Sequence, residues 1–386
     1  MNNIQKFKNK IKNSTFLGVI YLTLVGVFIK FLQIFIRPNE KQVLFMSYSG
    51  RQFSDTPREA FKMLQENPEF KDFDLVWAFN NPKKFNQKEL GKKISANSPM
   101  FFYHLLKSKY WIANSSIDRL IPFSHKKNIY IQFWHGVPLK TLGHAEIGLS
   151  RLVQYWYDHV DFDFMFTYSN YDLEKFKDIF PKTKRFVEHG QLRKNIVKRY
   201  EHQVSPQKIK RQLKIKANKP ILLYVPTFRG YNSKESTTLS DQALKELSKK
   251  YTVIYRGHYF SDGEAKKSVI TANKYSLYKL FMITDVLITD FSSVFFDFVV
   301  YGKKIYLFQP DIDEYYVRRG VYLDAKTDLG LPVAYSEKEL IRMTQDNNYN
   351  FQVLDDISSR YNPHDAEESA DALRNILIQL RSNQSL

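Results

Sequence analysis

Short apolar runs alternate with longer amphipathic stretches along most of this chain. Runs rich in β-branched and aromatic residues predict strands at 41–47, 74–79, 109–114, 128–133 and 161–168, with helical stretches between them. A charged helix and hinge at 201–219 is followed by a second series, with strands at 221–226 and 251–255. Residues 285–297 read as a buried strand, a tight polar turn and a helix start, and 304–309 as the next strand. Strand alternating with helix places the chain in the α/β class. The tail, 336–386, reads as helices, the last opened by Asn362-Pro363-His364-Asp365. A length of 386 residues gives two domains of ordinary size, drawn at 41–205 and 206–386 behind a distinct segment at 1–40.

Polar groups collect where these strands end. His135 follows the 128–133 strand just before Gly136 and Pro138 break it, at the edge that faces the ligand crevice in open α/β sheets. An imidazole there suits a general base; a histidine that only satisfies loop carbonyls fits the same residue. Ser292 and Ser293 sit at a predicted helix start, where free N–H groups and hydroxyls bind phosphate; helix N-capping is the simpler use of either serine. Thr227 and Arg229 follow one strand, Arg256 and His258 another. The arginines have the planar fork that clamps phosphate oxygens, and His258 suits donation to a leaving phosphate, although loop arginines are often just solvated. Asp311, Asp313 and Glu314 can orient acceptor hydroxyls or form a solvated acidic loop, and their spacing dictates no metal. The loop at 48–57, with Gly50 and Arg51, also faces the crevice edge. His104, His125, His144, His159, His189, His202 and His364 match no ligand spacing.

Taken in order, five segments resemble the bacterial CDP-glycerol glycerophosphotransferases and related CDP-ribitol enzymes that build teichoic acids and some capsules. They are Trp134-His135-Gly136-Val137-Pro138-Leu139-Lys140-Thr141-Leu142-Gly143, Pro226-Thr227-Phe228-Arg229, Arg256-Gly257-His258-Tyr259, the Thr289-Asp290-Phe291-Ser292-Ser293 turn running to Asp297, and Asp311-Ile312-Asp313-Glu314-Tyr315 followed by Arg319-Gly320. The resemblance covers most of the chain. It implies a GT-B-like fold, two Rossmann-like domains with parallel sheets facing across a cleft, the second holding the nucleotide donor. It implies His135 and His258 as the catalytic pair, and Thr227, Arg229, Arg256, Asp290, Ser292 and Ser293 on the donor's phosphates and nucleotide. Lys140, Arg193, Asp313, Glu314 and Arg319 fall to the acceptor or phosphate side. The chain departs from the family at Gly230, where an Asp is usual, and at Gly190-Gln191-Leu192-Arg193-Lys194-Asn195, which keeps only the Gly and Arg of G-x-P-R-N-D. The implied reaction moves glycerol phosphate or ribitol phosphate from CDP-glycerol or CDP-ribitol to an undecaprenyl-diphosphate-linked saccharide or a teichoic acid chain and releases CMP. No cofactor is implied. A GT-B glycosyltransferase using a nucleotide sugar, or a non-catalytic basic protein binding anionic polymer at a membrane, remains a competing reading.

Composition narrows the partners. A net charge of +18 favours anionic surfaces and polymers. The 16% aromatic content falls mainly within strand-like and helix-like runs, so it reads as core, and no zinc-finger, RNA-recognition, Walker or G-x-G-x-x-G pattern is present; nucleic acid is not an expected partner. The absence of cysteine excludes disulfides and thiolate metal sites. Nothing in the composition sets an oligomeric state. At the N-terminus Lys6, Lys8, Lys10 and Lys12 precede an apolar run at 16–29, interrupted afterwards by Lys30, Gln33 and Arg37. That run is short of the roughly 20 residues of a span. Crossing would also export four lysines if the implied cytosolic donor keeps the rest of the chain inside. An in-plane anchor on the cytoplasmic face of the cell membrane, drawn to anionic lipid, is the expectation. No small-residue cleavage site follows the run, as a signal peptide would require.

Overall fold

The computed structural model describes residues 10–196, 199, 204–216, 218–227, 229, 238–257 and 269–382. The chain forms two compact units, one of Met1–His135, Gly148–Asn195 and His364–Leu386, the other of Gly136–Ile147 and Ile196–Pro363. Each is built on one sheet in which every pairing is parallel.

The first sheet contains β1 (Asn39–Met46), β2 (Asp74–Phe79), β3 (Lys92–Ser95), β4 (Ser108–Ala113), β5 (Ile129–Gln132), β6 (Phe164–Thr167) and β7 (Arg185–Glu188), in the order β3-β2-β1-β4-β5-β6-β7. The second contains β8 (Ile221–Tyr224), β9 (Thr252–Tyr255), β10 (Ile270–Thr271), β11 (Val286–Thr289), β12 (Lys304–Phe308) and β13 (Val333–Ala334), in the order β10-β9-β8-β11-β12-β13. Both orders reverse direction once, between β1 and β4 and between β8 and β11. Adjacent crossovers leave on opposite sides at such a point and open a crevice beyond the strands' carboxyl ends. The expected α/β, Rossmann-like architecture is therefore present in both units.

Central strands are apolar on both faces because helices cover both. In the first unit Phe61 and Leu64 from Asp55–Glu66 join Val43, Phe45 and Trp77 in one core. Leu244 and Leu247 from Asp241–Lys250 pack on Tyr224, Val253 and Tyr306 in the second. Four strands were absent from the sequence reading: β3, β7, β10 and β13. The tail also differs from the expected 206–386 domain. Its last helix, Ala366–Arg381, seats Leu373, Ile376 and Leu377 in the core of the first unit, and Arg381 pairs with Asp72 at 3.0 Å.

The apolar N-terminal stretch forms one helix, Thr15–Phe35. It is long and apolar enough to cross a membrane, yet it lies along the first unit. Ile29 packs with Leu106 and Ile121, the Tyr21 hydroxyl donates to the Arg119 carbonyl at 3.1 Å, and Gln33 Nε2 donates to the Ser124 carbonyl at 2.6 Å. Its remaining face leaves Phe16, Val19, Leu24, Val27, Phe31, Ile34 and Phe35 more than half exposed.

Candidate active site

His135 sits three residues beyond β5, and its ring is held by the neighbouring strand end. Nδ1 lies 2.7 Å from the carbonyl of Asn114, the residue after β4. A carbonyl can only accept, so Nδ1 carries the proton and the neutral ring presents Nε2 as a bare lone pair. Burial lowers the imidazole's pKa below its ordinary value; the Asn114 carbonyl and the Asp55 charge oppose this, while Arg193 and Arg51 add to it. The residue is exposed to solvent. It is thus neutral at pH 7, with an accessible proton acceptor.

The support beneath it is a buried polar network centred on Asp55. Oδ2 accepts from the Tyr48 hydroxyl at 2.5 Å, Asn114 Nδ2 at 3.0 Å and Arg193 Nη2 at 3.0 Å, and Arg193 Nε lies 2.9 Å from Oδ1. Asn114 Oδ1 in turn accepts from the Tyr48 backbone N–H at 2.8 Å. Tyr48, Ser49, Asp55 and Trp134 all adopt positive φ without being glycine. Such backbone costs on the order of 1–3 kcal/mol per residue and concentrates at functional sites. Arg193, expected on the acceptor or phosphate side, is paired with this buried carboxylate. The sequence points to the 48–57 loop but not to Tyr48, Asp55 or Asn114 individually.

In the second unit the switch point gathers the Thr227, Asp290 and Asp311 segments. The Asp290 carboxylate accepts from the Thr227 N–H at 3.0 and 3.1 Å and from the Thr227 hydroxyl. Arg229 donates to Asp311 through Nε at 2.7 Å and Nη2 at 2.9 Å, and through Nη1 to Asp290 at 3.0 Å and the Thr227 carbonyl at 3.1 Å. Its guanidinium carbon also lies 5.1 Å from the Phe291 ring and 4.8 Å from the Tyr315 ring, two rings stacked at 3.8 Å. Burial alone would lower the Arg229 pKa; hydrogen bonds and charge from Asp311 and Asp290 outweigh it and raise it. Arg229 and Asp290, expected on the donor's phosphates, brace these loops to one another, with four of the guanidinium's donor directions spent internally.

Ser292 and Ser293 emerge from that brace. Ser293 occupies the N-cap of Val294–Phe298, but its side chain makes no capping bond; the Ser292 hydroxyl instead accepts from Val294 N–H at 3.4 Å. N-capping therefore does not account for Ser293. Gly136 belongs to this unit and approaches the same serine: a Cβ on it would sit 2.7 Å from Ser293 Oγ, at φ +146°. The following residues pair with the Arg319-Gly320 segment. Tyr322 N–H donates to the Leu139 carbonyl at 2.8 Å, Thr141 N–H to the Gly320 carbonyl at 3.3 Å, and Arg319 pairs with Glu146 at 2.7 Å. Two of the sequence segments are in this way one antiparallel structure.

Lys140 lies in that structure with Nζ 5.8 Å from the centre of the Tyr315 ring. Among the described residues its ammonium has no hydrogen-bond or ion-pair partner. Burial pulls its pKa down to about 8, Arg319 and Arg229 contribute in the same direction, and Asp290 and Glu146 oppose it. Arg256 donates from Nε to the Tyr275 carbonyl at 3.3 Å. Asp313 is exposed in the first turn of Ile312–Arg318, and Glu314 pairs with Arg318 at 2.7 Å. His258 and Gly230 lie outside the described residues.

The chain is similar to proteins of known activity. The family model described as CDP-Glycerol:Poly(glycerophosphate) glycerophosphotransferase matches residues 28–379. A teichoic acid poly(glycerol phosphate) polymerase of Bacillus spizizenii is 29% identical, covering 89% of this chain and 92% of its own. A teichoic acid ribitol-phosphate primase of the same organism is 23% identical, covering 94% and 97%. The solved structure of a variant of the wall teichoic acid polymerase TagF soaked with CDPG has a TM-score of 0.76 at 25% identity, covering 90% of each chain.

Proposed function

The chain belongs to the CDP-glycerol:poly(glycerophosphate) glycerophosphotransferase family, and from that premise we propose that it transfers glycerol phosphate from CDP-glycerol to a hydroxyl of a lipid-linked saccharide or a teichoic acid chain. Family membership and its relatives make it a CDP-polyol phosphotransferase. Glycerol is preferred over ribitol because the glycerol-phosphate polymerase is the nearer of the two relatives described. The observation that carries the reading is the Nδ1 contact to the Asn114 carbonyl, which fixes His135 in the tautomer of a general base.

In the proposed reaction His135 Nε2 takes the proton of the acceptor hydroxyl. That oxygen bonds to the phosphorus bearing glycerol while the phosphorus–oxygen bond to CMP breaks, leaving a phosphodiester and free CMP. Phosphoryl transfer depends chiefly on positioning and on stabilising charge at the phosphate oxygens. Ser292 and Ser293 supply hydroxyls for that, and Lys140 a cation with no ion-pair partner among the described residues. His258 is proposed to donate to the departing phosphate. Release of CMP from CDP-glycerol, compared with CDP-ribitol and UDP-sugars, tests the reading; turnover confined to a UDP-sugar would replace it with glycosyl transfer.

Lys140 gives the proposal a pH signature. A free-enzyme ammonium with pKa about 8 is charged below that pH and neutral above it. kcat/KM should therefore fall as pH rises through about 8, while the acid limb lies below the ordinary histidine range because the His135 pKa is lowered. Lys140→Arg should retain activity near pH 7 and move the basic limb upward, since a guanidinium stays charged. Lys140→Met should lower kcat/KM by about 10–10²-fold, the worth of one hydrogen bond to a charged group. An unchanged basic limb in Lys140→Arg would remove Lys140 from the donor site.

The exposed face of Thr15–Phe35 is proposed to lie in the membrane surface, with the opposite face docked on the first unit. A helix tethered along its length at Tyr21, Ile29 and Gln33 is not free to stand across a bilayer. The cytoplasmic leaflet is favoured by the anionic lipid that a chain of charge +18 attracts. Leu24→Glu with Phe31→Glu should abolish binding to vesicles containing phosphatidylglycerol at unchanged thermal stability. Retained vesicle binding would reject the apolar face as the anchor.

A further inference from the structure

Outside the transferase machinery, the first unit brings His189 to an i,i+4 pair, His364 and Glu368, far from it in sequence. His189 follows β7, His364 precedes the last helix, and Glu368 lies in that helix's first turn; one ligand atom from each falls within 4.8 Å of the others. His364 Nδ1 lies 2.8 Å from Glu368 Oε2, and His364 Nε2 lies 2.8 Å from Glu188 Oε1. Gly190, at φ +73°, permits the approach: a Cβ there would lie 2.9 Å from His364 Cβ.

We propose that His189, His364 and Glu368 form a binding site for a divalent transition-metal ion of the zinc type. Zinc takes imidazole nitrogen and carboxylate oxygen at about 2.0–2.2 Å, usually with four ligands, so three protein groups leave one position for water. Imidazole ligands select such ions over magnesium or calcium, which prefer all-oxygen shells. The Glu188 contact completes the design. A metal-bound histidine usually donates its other ring N–H to a carboxylate, which fixes the ring and strengthens it as a ligand. With Nε2–H on Glu188, His364 offers Nδ1 toward the ion. Glu368 is separately fixed, accepting from the Asp365 N–H at 3.2 Å in the helix's capping box. Lys194 donates to the His364 carbonyl.

An ion there would staple the end of β7 to the start of the helix that returns the chain to its first unit. The proposal does not depend on the transferase reading. Its test is calorimetric titration of the untagged, chelator-treated full chain with zinc chloride, with magnesium chloride as control. The expected result is one saturable zinc site per chain, no matching magnesium site, and a rise in thermal midpoint. His189→Ala, at an exposed residue, should remove that site, and Glu188→Gln should weaken it by about 10–100-fold at unchanged stoichiometry. Absence of a saturable site in the parent chain, or one that His189→Ala leaves intact, would overturn the proposal.

Discussion

His135→Ala is expected to lower kcat by about 10²–10⁴-fold, the usual contribution of a positioned general base, with little change in the KM for CDP-glycerol. The direction follows from the ring's tautomer. Asn114 holds the proton on Nδ1, a lowered pKa keeps the ring neutral, and removing the ring deletes the proton acceptor without touching groups assigned to the donor. Steady-state kinetics with thermal unfolding as a folding control separate this from general damage. A variant with near-parental kcat would dismiss His135 as the base and demote its contact with Asn114 to local structure.

Arg229→Met is expected to destabilise the second unit by about 3–5 kcal/mol, because it removes the guanidinium that two buried carboxylates share. Asp290 and Asp311, both buried, share this one guanidinium. At 2–4 °C per kcal/mol for a unit of this size, its thermal transition should fall by roughly 6–20 °C. The opposite pattern, an unmoved transition with a raised KM for donor, would restore Arg229 as a phosphate clamp.

The sequence made the centre of each sheet legible and its margins illegible, for one physical reason. Strands such as β2 and β11 are covered on both sides, so their residues are continuously apolar and announce themselves. Strands β3, β7, β10 and β13 are the four sheet edges. Lys92 and Lys93 in β3 and Arg185 and Glu188 in β7 carry the charges that keep an open edge from pairing further, and those charges hide the strand. The last helix shows a second limit. Its capping residues were readable, but the unit it joins depends on where Leu373 and Leu377 find a complementary surface, and that surface lies hundreds of residues earlier in the chain.

At the site, the strand-end positions of His135, Thr227 and Ser293 could be read because such residues interrupt apolar runs in a recurring way. What could not be read was the partner of each charge. Arg193 and Arg229 look like phosphate ligands as isolated letters, and the fold pairs each with carboxylates, Asp55 in one unit and Asp290 with Asp311 in the other. Lys140 carries the reverse lesson. Only the fold shows that it has no hydrogen-bond or ion-pair partner among the described residues.

The most direct test of the account is the mass of the product formed when the purified chain is given CDP-glycerol and a lipid-linked saccharide. The account predicts a lipid heavier by glycerol phosphate units, with one CMP released per unit and both lost in His135→Ala. A product unchanged in mass, or one extended by a sugar from a UDP-linked donor, would contradict it.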